Sequence, residues 1–237
     1  MPVAQAPRLI IVDLDDTLWP CAPVIREAEE ALWAWLAPRA RRLGAREDLS
    51  TLRTHRIAFA RANPGVAHDI TALRTAALAE ALRAHGDDPA LAEPAVEVFV
   101  TARQRVEPYP EVAEVLARWR DRYLLVAVSN GNADVERTPL RGLFHHALSA
   151  AAVGAMRPDP ALFHAALGRA GVEPADALHV GDDPVNDVAA ARALGLRTAW
   201  VNRSGGDFPP ELPRPDVEVP DLGALEAWLD HRGAVLP

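Results

Sequence analysis

A four-residue apolar run, Leu9 to Val12, ends directly in three aspartates within four positions: Asp13, Asp15 and Asp16. Carboxylates this close repel; at an effective dielectric of about 20 and a separation of about 6 Å the repulsion is roughly 3 kcal/mol. Strand alternation puts Asp13 and Asp15 on one face and Asp16 on the other. The layout recurs in "ALHVGDDPVNDV", an apolar run followed by Gly181, Asp182, Asp183 and Asp187. If both runs are strands of one parallel sheet, they end at the same edge, where such sheets bind ligands. The two clusters then converge despite their distance in sequence.

The rest of the chain supports that sheet. Besides the runs at 9–12 and 177–180, apolar runs lie at 123–128 and 198–201, with a weaker one at 146–150. Helical patterns separate them at about 110–121, 159–170 and 184–194. Asp159 with Pro160, and Asp183 with Pro184, read as N-cap and first helical residue. Alternating strands and helices predict an α/β fold: a Rossmann-like, doubly wound, mostly parallel sheet. Residues 21–107 break the alternation with helical spacing and few strand signals. They read as an all-helical domain inserted into a core made of 1–20 and 108–237. A last helix is expected near 222–231, after a tail rich in proline and glycine.

Composition removes several chemistries. All 25 Lys and Arg residues are arginine, so neither a Schiff-base lysine nor a P-loop lysine is available. A net charge of −8 argues against nucleic-acid and anionic-membrane partners. One cysteine, Cys21, leaves no internal disulfide and suits a reducing compartment. With no leader-like or membrane-spanning run in the sequence, a cytoplasmic monomer or homodimer is the expectation.

Converging carboxylates without lysine or a histidine cluster favour a hard, oxygen-seeking cation, Mg²⁺ best, held together with a phosphate. Two more strand ends are polar. "VAVSNGN" places Ser129 and Asn130 after one strand, with Gly131 allowing close backbone approach to an anion. "GAMRPDP" places Arg157 just before a helix N-terminus.

In this order, "DLDDTLW", Ser129, Arg157 in "RPDP" and "GDDPVND" resemble the four motifs of the haloacid dehalogenase superfamily of hydrolases. The insertion at 21–107 matches the family's cap domain. Phrases such as "HDIT..R" and "VA.SNGNA" are similar to bacterial phosphatases acting on flavin mononucleotide or on 5-amino-6-(5-phosphoribitylamino)uracil. The resemblance implies a Mg²⁺-dependent phosphatase of a small phosphorylated metabolite. Asp13 would be the nucleophile and Asp15 the general acid and base. Asp13, the Asp15 carbonyl and Asp182 would hold the metal, with Asp187 in or behind its coordination sphere. Ser129, Asn130 and Arg157 would bind phosphate, and Thr17 would steady the Asp15 loop. Arg157 stands where the family usually has lysine; its replacement by alanine is expected to cut turnover far more than stability.

A sugar-phosphate mutase keeps the same four motifs, and dehalogenation needs neither Asp15 as an acid nor a metal; both are alternatives. Substrate choice is expected from the cap, with His55, Arg56, His68 and Arg74 as candidates. Asp16, Asp183 and His179 read as structural, and Trp33 and Trp35 as helix-packing residues.

Overall fold

A computed structural model of the chain describes residues 6–233. The outermost parts of the expected core, 1–5 and 234–237, lie outside the described residues. Strand β1 (Leu9–Asp13) is followed by helices α1 (Cys21–Leu36), α2 (Arg41–Gly44), α3 (Leu49–Ala62), α4 (Ile70–His85) and α5 (Ala92–Arg103). Next come α6 (Val112–Arg120), β2 (Leu124–Ser129), β3 (His146–Ser149), α7 (Ala150–Val153), α8 (Ala161–Ala170) and β4 (Ala177–Gly181). A π-helical turn, Pro184–Ala189, leads to α9 (Ala190–Ala193), β5 (Arg197–Val201), β6 (Val217–Val219) and α10 (Leu222–Gly233).

The strands form one sheet in the order β3-β2-β1-β4-β5-β6, with every neighbouring pair parallel. Every residue of β1 and of β4 is buried, which is why both read as continuous apolar runs rather than alternating ones. Leu9 and Ile11 of β1 and Val126 and Val128 of β2 pack with Leu162 and Phe163 of α8. β1 lies where the winding reverses: the chain adds β2 on one side and β4 on the other. In open parallel sheets such a switch point is where ligands bind, beyond the carboxyl ends of the strands. Asp13 pairs with Val128 and Val12 with Val180, so the ends of β1, β2 and β4 stand level there.

Local signals explain most element ends. The Asp183 carboxylate accepts from the backbone N–H groups of Val185 and Asn186, as expected of an N-cap. At α8 the N-cap position falls to Pro160, one residue later than expected, although Asp159 still accepts from the Ala161 N–H at 2.9 Å. β6 was not anticipated; three residues are too few to carry a periodic signal.

The chain divides into two compact units, one of them Cys21–Val106 with Gly131–Ala133 and the other the sheet with its flanking helices. The helical unit has its own core, which includes Leu32, Leu36, Leu82 and Phe99, with Trp33 and Trp35 partly buried against it. Asp48 and Thr51 form a capping box that starts α3. Among the described residues, no helix is long and apolar enough to cross a membrane.

Candidate active site

Asp13, the last residue of β1, is 6% exposed and faces Arg157, which is 4% exposed. The Arg157 guanidinium donates through Nη2 to Asp13 and through Nη1 to Asp187, one planar fork bridging two buried carboxylates. Asp187 also accepts from His179 Nε2 at 2.9 Å and from the Asp183 N–H at 2.9 Å. Burial works against ionising Asp187, but Arg157 and His179 outweigh it and hold its carboxyl below the usual range. Asp13 goes the other way: burial, with Asp187 and Asp182 nearby, raises it well above normal against the pull of Arg157.

Thr17 connects the two carboxylate clusters. Its hydroxyl lies 3.2 Å from Asp13 Oδ2 and 3.0 Å from Asp182 Oδ1. A hydroxyl has one proton to donate, so it satisfies only one of these oxygens at a time. Burial, then the Asp187 charge, pushes Asp182 up to about 7. One carboxylate oxygen from each of Asp13, Asp182 and Asp187 lies within 4.8 Å of the others, a spacing able to hold a metal ion. The Asp15 side chain accepts from the Trp19 indole N–H at 2.9 Å. Asp16 adopts a left-handed backbone, φ 58°, and its N–H donates to the Trp19 carbonyl, so it turns the loop as its structural reading required.

Ser129 is buried at the end of β2. The Asn130 side chain clamps Arg157: its amide donates to the Arg157 carbonyl at 2.9 Å, and its oxygen accepts from the Arg157 N–H at 2.8 Å. This two-point clamp fixes the arginine's backbone and leaves Asn130 only its own N–H for an anion. His55, Arg56 and Arg74 line one pocket of the helical unit, whereas His68 sits in the turn before α4 and is not among that pocket's lining residues.

Several site residues escaped sequence reasoning. His179 is buried as expected, but its Nε2 bonds Asp187, a site carboxylate; its place two residues before Gly181 on one strand face was the available signal. Arg203, after β5, donates from Nε and Nη2 to the Thr17 carbonyl at 3.0 and 2.8 Å, pairs with Glu111 and lies 3.6 Å over the Tyr109 ring. Trp200 anchors the Asp182 carbonyl through its indole N–H at 2.6 Å.

The sequence pattern of the haloacid dehalogenase-like hydrolases matches residues 7–195. The chain belongs to that family. Among curated relatives, the phosphoserine phosphatase of Thermus thermophilus is 34% identical over 91% of this chain and 96% of its own length. The 5-amino-6-(5-phospho-D-ribitylamino)uracil phosphatase YigB of Escherichia coli is 31% identical over 83% of this chain and 84% of its own. Among solved structures, the 2-haloacid dehalogenase of Pseudomonas syringae superposes with a TM-score of 0.88 at 39% identity, covering 95% of this chain and 99% of that one. The chain is therefore a hydrolase with the fold and motif order of this family.

Proposed function

We propose that the chain is a Mg²⁺-dependent phosphatase of a small phosphorylated metabolite, working through an aspartyl-phosphate on Asp13. The observation that carries this reading is the cluster of Asp13, Asp182 and Asp187 at the carboxyl ends of β1 and β4. Its donors suit a hard cation: Asp13 and Asp182 share one hydroxyl proton, both are raised by burial, and Arg157 pairs with Asp13 and Asp187 but not with Asp182. Asp13, Asp182 and the Asp15 backbone carbonyl would hold the ion, while His179, Arg157 and the Asp183 N–H keep Asp187 in place behind them. Bound Mg²⁺ supplies positive charge that lets two carboxylates and a phosphate share one site.

The chain's own groups do the rest. Asp13 attacks phosphorus, and the bond from phosphorus to the leaving oxygen breaks. Asp15 gives that oxygen a proton, then takes one from the water that hydrolyses the aspartyl-phosphate. The Ser129 hydroxyl and the Asn130 N–H bind phosphate oxygens, and Arg157 balances charge on Asp13 and the transferring group.

The phosphatases among the relatives support this substrate class. The test is phosphate release across a panel with and without Mg²⁺, including phosphoserine, flavin mononucleotide, 5-amino-6-(5-phospho-D-ribitylamino)uracil and glyceraldehyde 3-phosphate. Metal-dependent release from at least one supports the reading, and release from none with Mg²⁺ present removes it. The dehalogenase with 39% identity favours a second reading, halide displacement by Asp13. Halide release from a 2-haloacid without added metal would promote it.

A further inference from the structure

The helical unit has a charged centre of its own. Glu29 on α1 is 4% exposed and faces Arg53 and Arg56 on α3 and Arg74 on α4. One carboxylate carries a single negative charge against three guanidiniums. Arg53 takes Glu29 Oε2 in a close hydrogen bond. Glu29 Oε1 is left 3.8 Å from Arg56 Nη2 and 3.5 Å from Arg74 Nη1, both longer than the usual ~2.7–3.2 Å of such a bond. Arg74 is only 9% exposed and lies 3.7 Å over the Phe99 ring. The Nε atoms of Arg56 and Arg74 are buried without an acceptor. Burial, then the Arg56 charge, lowers Arg74 to about 10, as for a cation short of compensation.

These arginines border a pocket of about 40 Å³ walled by Leu32, Leu49, Leu52 and Leu78. At about 10–15 Å³ for one water position, that is room for a small headgroup and not for a ring system. Apolar walls beside buried donors lacking acceptors, with two more cations than anions, define a ligand by chemistry.

We propose that this pocket binds a small organic anion, its oxygens accepting from Arg56 and Arg74 and its short aliphatic stem packing on the leucines. A carboxylate and a phosphate head share that chemistry. The site rests on residues of the helical unit alone, so it stands or falls separately from the reaction at Asp13.

The test is titration of the full chain with butyrate and, separately, with methylphosphonate, followed by calorimetry and by the methyl NMR signals of Leu32, Leu52 and Leu78. Saturable binding that shifts those methyls is expected. Arg74→Met should weaken it about tenfold or more. Arg56→Gln, at a more exposed position and safer for folding, should weaken it too, and Ser129→Ala should leave it intact. Binding of butyrate alone assigns a carboxylate head and of methylphosphonate alone a phosphate head. No saturable binding, an affinity unchanged in both arginine variants, or binding lost in Ser129→Ala would overturn the proposal.

Discussion

A Cβ on Gly181 would lie 2.2 Å from the carboxyl carbon of Asp187 and 2.3 Å from its Oδ2. The end of β4 and the turn that follows it are packed so closely that only glycine leaves the carboxylate where Arg157, His179 and the Asp183 N–H hold it. Gly181→Ala must displace Asp187, and with it the guanidinium that bridges to Asp13. An ångström of misplacement at a reacting centre costs about 10²-fold. We expect kcat on p-nitrophenyl phosphate to fall by that order, with the far-ultraviolet dichroism of the fold retained. A kcat within twofold of wild type would show that Asp187 can move without consequence.

Asp182, raised to about 7 from a usual carboxylate value, gives a pH signature in the metal-free protein. A raised carboxyl favours folding while protonated, so its contribution is full below about pH 4 and is lost as pH rises through about 7. In EDTA, wild type should lose stability relative to Asp182→Asn across that window. Mg²⁺ competes with the same proton, so its affinity should rise as pH passes through about 7. Thermal melts and metal titrations at several pH values check both. A flat difference between wild type and variant would remove Asp182 as the titrating group.

Arg157 bridges two buried carboxylates, and this revises the expectation that its loss would spare the fold. Removing one partner of a buried ion pair leaves uncompensated charge, at about 3–5 kcal/mol. Arg157→Ala should therefore lose both turnover and stability at neutral pH. Arg157→Lys, the family's usual residue at this position, should keep charge and fold while reaching fewer of the acceptors that the arginine fork spans. Denaturant midpoints with and without Mg²⁺ measure the stability term. An unchanged midpoint in Arg157→Ala would mean that the two carboxylates do not depend on the guanidinium.

Residues whose chemistry follows from their neighbours in sequence were legible, and those that work through distant contacts were not. β1 and β4 read correctly because burial on both faces makes their apolar runs continuous, and Asp183 because capping is a three-residue event. The convergence of Asp13 with Asp182 followed from parallel strands sharing an edge. The clamp of Asn130 on Arg157 spans 27 residues, and that of Arg203 on Thr17 spans 186, distances over which no periodicity or spacing rule acts. Neither was read.

We expect Arg203 to position the site rather than to react. Two bonds to the Thr17 carbonyl tie the loop after β5 to the loop whose hydroxyl touches Asp13 and Asp182. Arg203→Ala should lower kcat about tenfold with little change in KM, and should weaken Mg²⁺ binding measured by calorimetry. Arg203→Lys, which keeps a charge and one donor, should recover part of both. A change in KM alone would place Arg203 on the substrate instead.

The most direct test of the account compares wild type with Asp13→Asn for phosphate release from p-nitrophenyl phosphate, each with Mg²⁺ and with EDTA, while halide release from 2-chloropropionate is followed in parallel. We predict phosphate release by wild type with Mg²⁺, lost in EDTA and lost in Asp13→Asn, with no halide released. Phosphate release that survives Asp13→Asn, or metal-independent halide release in place of phosphate release, would contradict it.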